Sequence, residues 1–167
     1  MIFVTVGEAT RGFPRLLEAV ERLAREGCFG SEDIIMQVGH TKTFRSTRAV
    51  VSPFFPPGTF DRLLRDARIV ISHGGCGTIL SALRVGKIPV VMPRRASRGE
   101  HVNDHQFQLS EALAREGAVC LAVEPKDLPS AIDAALGNLP AGALPPPTMV
   151  GVLTSVLARY AKARERD

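Results

Sequence analysis

Short, wholly apolar runs rich in β-branched residues alternate along this chain with longer stretches whose apolar positions recur every three or four residues. The runs are Ile2–Val6, Ile34–Val38, Ala49–Phe54, Ile69–Ser72, Ile88–Met92 and Val119–Val123. Most are apolar at every position rather than at alternate ones, the pattern of strands covered on both faces. Between them the helical period predicts five helices. The first begins at Pro14, carries Leu16, Leu17, Val20, Leu23 and Ala24 on one stripe, and stops at Gly27. The second is capped by Thr59 and continues through Phe60, Leu63, Leu64 and Ala67. The third spans Thr78 to Val85 before Gly86, the fourth is capped by Asn103 and runs to Gly117, and the fifth covers Lys126 to Leu136 before Gly137. The link from Ile34–Val38 to Ala49–Phe54 has no helical period and reads as a loop. Strand–helix alternation of this kind predicts an α/β fold, doubly wound around a mostly parallel six-stranded sheet.

A Pro-rich stretch, residues 138–148 with Pro140, Pro145, Pro146 and Pro147, reads as an extended connector after the α/β domain of residues 1–137. Residues 149–167 carry a last amphipathic helix, with Leu153, Leu157 and Tyr160 on one face. That face packs on the chain's own sheet or docks on a partner, and the pattern leaves both open.

Composition narrows the field. At 167 residues and 45% apolar, the chain has enough material for one domain with a core and too much for wholesale disorder. No apolar run reaches the ~20 residues of a membrane span, and the opening Met1–Gly7 reads as a strand rather than a signal peptide. Cys28, Cys76 and Cys120 form no CxxC pair or zinc spacing, so reduced thiols of a cytoplasmic protein are expected. One Tyr and no Trp argue against a stacking platform for nucleic acid. The net charge of +4 permits an anionic ligand without demanding one.

Three segments carry candidate chemistry, each placed after a strand, where open α/β sheets bind ligands. Ile69 to Ile79 is a strand, a glycine-rich turn and a helix start. Its glycines let backbone approach a ligand, its N–H groups favour phosphate, and His73 and Thr78 add donors. It is neither a Walker loop, lacking GK[ST], nor a dinucleotide fingerprint. The same shape is equally that of a tight turn without a ligand. The stretch Pro93 to Gln106 follows the next strand. Asp104 and Gln106 suit sugar hydroxyls or, as plainly, helix capping. His101 and His105 are spaced for a metal if helical, but no third ligand accompanies them, and no metal is expected. Arg94, Arg95 and Arg98 read as a solvated basic loop, with Arg94, Arg95, Glu100 and His101 as possible contacts to an anionic group. After the first strand, Gly7 can admit a ligand to the backbone, and Arg11 can reach a phosphate.

With these segments in this order, the chain resembles the C-terminal domain of MurG-type glycosyltransferases (glycosyltransferase family 28 C-terminal-like), and most of all the stand-alone, PssE-like subunits of bacterial exopolysaccharide synthesis. The likeness spans Val4 to Leu136 and is most specific at Ser72-His73-Gly74-Gly75-Cys76-Gly77-Thr78 and Asn103-Asp104-His105-Gln106. It implies a Rossmann-like domain, the donor-binding half of a GT-B fold. It implies that His73, Gly74, Gly75, Gly77 and Thr78 hold the donor diphosphate, together with Gly7 and Arg11, and that Asp104, His105 and Gln106 read the transferred sugar. Many relatives place a ribose-binding glutamate where this chain has Ser81, so ribose is expected to be held more weakly or by other groups here, and the preference for uracil is less strongly implied. The resemblance further implies an inverting, metal-independent transfer from a UDP-sugar to a lipid-linked acceptor, without a cofactor. The acceptor half and the general base are expected on a membrane-anchored partner, which would hold this chain at the inner face of the membrane. A homodimer of the isolated chain, or a regulatory subunit that binds nucleotide sugar without turnover, remains open.

Overall fold

The computed structural model describes residues 1–137. The Pro-rich connector and the amphipathic helix read from residues 138–167 lie outside the described residues. Six strands, β1 (Ile2–Thr5), β2 (Ile34–Gln37), β3 (Val50–Ser52), β4 (Ile69–His73), β5 (Val90–Met92) and β6 (Cys120–Leu121), form one sheet in the order β3-β2-β1-β4-β5-β6. Every pairing is parallel. Five helices cover it: α1 (Pro14–Arg25), α2 (Pro57–Asp66), α3 (Cys76–Arg84), α4 (His105–Arg115) and α5 (Leu128–Gly137).

Successive strand residues point to opposite faces, and both faces are buried. Ile2, Val4, Val6, Ile34, Met36, Ile69, Ile71, Val90 and Met92 meet α1 and α5 through Leu16, Leu17, Val20, Leu23, Leu128 and Ile132. On the other face Phe3 and Val70 meet Leu63, Leu64 and Ala82, while Val91 packs with Ile79, Leu83 and Leu113. The Phe3 ring lies edge-on to Phe60, 5.3 Å between centroids, which ties α2 to the central strand. Among the described residues no helix is long and apolar enough to cross a membrane.

Several boundaries differ from the sequence pattern. Pro57 occupies the first turn of α2 behind the N-cap Pro56, so Thr59 lies inside the helix rather than capping it. The N-cap of α4 is Asp104, one residue beyond Asn103, although the Asn103 amide oxygen still accepts the N–H of His105 at 3.2 Å. α3 starts at Cys76, two residues early, and α5 starts at Leu128 after a short 3-10 turn, Pro125–Asp127. The loop between β2 and β3 is a loop, as its sequence implied. The β3 edge is short, and its Val50 is 68% exposed.

Candidate functional site

Strand order reverses direction between β1 and β4, and the carboxyl ends of these two neighbours create the crevice in which open α/β sheets bind ligands. A cleft of about 480 Å³ opens there, lined by Gly7, Glu8, Gln37, Phe55, Pro57, Phe60, Asp61, His73, Gly75, Gly77, Thr78 and Ser81. The polar strand residues beside it are linked. The Gly7 N–H donates to the Thr5 hydroxyl at 3.2 Å, and the Gln37 amide donates to the same oxygen at 3.3 Å. The Gln37 amide oxygen accepts the N–H of Phe55 at 3.0 Å. Ser72 Oγ and His73 Nδ1, at the end of β4, are buried with no hydrogen-bond partner among the described residues.

His73 is 7% exposed. Burial first, then the Arg94 guanidinium, and to a smaller degree His101, lower its pKa from the ordinary histidine value to about 4. The Thr5 backbone opposes this shift without forming a well-shaped hydrogen bond. The ring is therefore a neutral imidazole at neutral pH. Its Cε1–Nε2 edge passes between two glycines: a Cβ on Gly7 would lie 2.3 Å from Cε1, and one on Gly75 would lie 2.2 Å from Nε2. Gly7 also has φ +69°, which only glycine adopts without strain.

The glycines of the His73–Thr78 turn thus have three different duties. Gly75 makes room for the His73 ring. Gly74 admits α4, because a Cβ there would stand 2.9 Å from Ser110 Oγ and 3.0 Å from Gln106 Cβ. Gly77 has open space where a Cβ would be, and it faces the cleft. α3 begins at this turn with no side-chain cap and no acidic residue in its first turn. The N–H groups of Cys76, Gly77 and Thr78 have no carbonyl one turn back inside the helix, and the helix dipole adds partial positive charge to them. Such a helix start is suited to an anion.

The loop after β5 is of another kind. Arg94, read from sequence as part of a solvated basic loop with a possible anion contact, is completely buried. Its guanidinium donates to the carbonyls of Val6 (3.0 Å), Arg11 (3.0 Å), Gly12 (3.0 Å) and Glu100 (3.3 Å), and it lies 4.6 Å over the Phe13 ring. Burial lowers its pKa to about 10, Glu100 opposing, so it stays charged at neutral pH. Four carbonyls engage its Nη1 and Nη2 donors, its Nε is buried without a partner among the described residues, and it does not line the cleft. Glu100 is also buried. It forms a two-pronged ion pair with Arg15, at 2.8 and 2.9 Å, and accepts the N–H of Arg95. Arg95 stacks on Phe107 at 4.3 Å. Arg11 likewise turns away from the cleft and donates to the carbonyls of Gly99 (2.9 Å) and His101 (3.4 Å).

Asp104, His105 and Gln106 are not among the residues lining the cleft. Asp104 accepts the N–H of Ala96 at 2.9 Å, the Gln106 amide oxygen accepts the N–H of Arg94 at 3.4 Å, and His105 approaches Gln108. Of the three, Gln106 lies against the His73–Thr78 turn, close to Gly74. His101 precedes the helix that His105 begins, so the two do not share a helical face. Among the described residues no three His, Cys, Asp or Glu side chains come together. Sequence reasoning missed Glu8, Gln37, Phe55, Phe60 and Asp61 in the cleft. Gln37 carried a signal, being an amide inside an otherwise apolar strand; the others did not.

Comparison with known proteins bears on the family and the fold. Over 125 residues the chain is 32% identical to the mouse (Mus musculus) UDP-N-acetylglucosamine transferase subunit ALG13, a match covering 69% of this chain and 10% of that protein. The Yarrowia lipolytica subunit of the same name is 42% identical over 50 residues, 30% of this chain and 24% of that one. The chain thus spans only a minor part of these relatives. Among solved structures, the glycotransferase of kitacinnamycin superposes with a TM-score of 0.63 at 21% identity, over 99% of this chain and 42% of that one. MurG of Acinetobacter baumannii gives 0.50 at 18% identity, over 90% of this chain and 48% of that one. These two likenesses concern the fold. The model of the glycosyltransferase family 28 C-terminal domain matches residues 1–143, and the chain belongs to that family.

Proposed function

We propose that this chain is the donor-binding catalytic subunit of a two-component inverting glycosyltransferase that moves a sugar from a UDP-sugar to a lipid-linked acceptor. The observation that carries this reading is the uncapped start of α3, which opens into the cleft beside the neutral His73 ring. The donor diphosphate lies against the N–H groups of Gly77 and Thr78, with the Thr78 hydroxyl and His73 as further donors. The acceptor hydroxyl attacks the anomeric carbon from the face opposite the diphosphate. As the bond to the leaving oxygen breaks, its electron pair passes to the diphosphate, where these fixed donors stabilise the growing charge. A general base takes the acceptor proton; we assign it to the acceptor-binding partner. Asp104, His105 and Gln106 meet the transferred sugar from the start of α4, next to the phosphate turn.

The relatives' name, UDP-N-acetylglucosamine transferase subunit, supports both a UDP-sugar donor and a second polypeptide. UDP-N-acetylglucosamine is the first donor to test. The partner is membrane-anchored in this reading, because a lipid-linked acceptor stays in the bilayer, and it would hold the chain at the membrane's inner face. Calorimetry on the isolated chain should show UDP and a UDP-sugar binding. Gln106→Ala should weaken the sugar nucleotide by about 1–3 kcal/mol and leave UDP nearly unchanged. Equal losses for both ligands would remove the sugar-contact role, and no binding of any uridine nucleotide would end the proposal.

A further inference from the structure

The cleft does not stop at the phosphate turn. Ser81 follows Thr78 by three residues, roughly 4.5 Å farther along the helix axis, and lines the same cleft. Asp61 on α2 lines it too, beside Pro57 and Phe60, with Phe55 contributing a second aromatic ring. Among the described residues the Asp61 carboxylate is engaged by no hydrogen bond or ion pair, and the residue is exposed to the cleft and solvent. Glu8, the other carboxylate of the cleft, directly follows Gly7 at the phosphate end.

A carboxylate can only accept hydrogen bonds. Within a few ångströms of a site built for an anion it repels the ligand unless the ligand presents O–H or N–H donors there. The cleft thus has N–H donors at the start of α3 and, about one turn into the mutually packed α2 and α3, the Asp61 carboxylate with apolar rings; its second carboxylate, Glu8, belongs to the loop after β1. A molecule matching this order carries an anionic group, then hydroxyl donors, then a flat ring. A nucleoside diphosphate has that order, and the vicinal hydroxyls of its ribose offer two donors to two carboxylate oxygens, a charge-assisted arrangement.

We propose that Asp61 is a specificity-determining residue of the donor site, accepting hydrogen bonds from the ribose hydroxyls, with Ser81 as its neighbour across the cleft. This rests on the donor-site reading above. It assigns ribose recognition to α2, a helix that carries no glycine-rich motif.

The test compares UDP with 2′-deoxy-UDP by calorimetry on the full chain, in wild type, Asp61→Asn and Asp61→Ala. The side chain is exposed, so both variants should fold, which circular dichroism checks. Wild type should prefer UDP by about tenfold or more, the scale of a hydrogen bond to a charged group. Asp61→Ala should bring the ratio to within roughly twofold, and Asp61→Asn, which keeps one acceptor oxygen, should fall between. The ratio is the readout because removing a negative charge shifts the affinity of both ligands together. An unchanged ratio in Asp61→Ala, or no preference in wild type, overturns the assignment alone. Failure of wild type to bind either nucleotide removes the donor-site reading and this inference with it.

Discussion

The turn after β4 and the loop after β5 are neighbours at one edge of one sheet, yet they are built on opposite plans. The first removes side chains: Gly74, Gly75 and Gly77 bring backbone to α4, to the His73 ring and to the open cleft. The second buries charge. Arg94, Glu100 and Arg15 are held inside the fold by carbonyls, by one another and by the Phe13 ring. The first leaves its N–H groups available, while in the second the Arg94 Nη donors are taken by carbonyls of the fold and its Nε is buried without a partner among the described residues. Charge in a sequence therefore does not mark the place where an anion binds. Here the region with three arginines is a clasp joining the β1–α1 loop to the β5–α4 loop, and the uncharged turn is the anion site we propose.

The clasp should break most expensively. Arg94→Met leaves four carbonyls without their shared donor in a buried position, and urea denaturation should show a loss of about 3–5 kcal/mol. A loss below about 1 kcal/mol would mean that the loop is not held by this residue. His73 comes next. Its folded pKa, about 4, is below the 6.5 of a free imidazole, so between these values the unfolded chain binds the proton that the folded chain refuses. The contribution is complete above about pH 6.5 and is lost as pH falls towards 4, on the order of 3 kcal/mol in all. Replacing His73 by Gln should flatten that part of the pH–stability curve; an unaltered slope would show that His73 titrates normally.

The smallest effects distinguish the glycines. Gly75→Ala forces a methyl into the His73 ring and should cost about 1–3 kcal/mol, largely recovered when His73→Ala is added. Gly77→Ala meets nothing, so stability should stay within about 1 kcal/mol of wild type or rise through helix propensity, while UDP affinity falls. If both substitutions behave alike in thermal melts, the division of labour within the turn is wrong.

Much of the architecture was legible because it follows from local chemistry. Apolar runs of strand length, the period of the helices and glycines at their ends place nearly every element, and the His73–Thr78 turn announces itself by its glycines. Boundaries slipped where a neighbour outranked a local preference: Pro57 displaced Thr59 as the start of α2, and the N-cap of α4 is Asp104 rather than Asn103, with its carboxylate accepting the N–H of Ala96. Glu8 and Asp61 entered the cleft unannounced, since nothing in their own segments distinguishes them from surface residues, and Phe60, read as a core position of its helix, packs on Phe3 and lines the cleft as well. Arg94 shows the same limit from the other side. A periodic pattern is a property of adjacent residues and survives in a one-dimensional string. Whether a guanidinium meets water or the carbonyls of Val6 and Gly12, more than eighty residues away, depends on long-range contacts that exist only once the sheet has assembled.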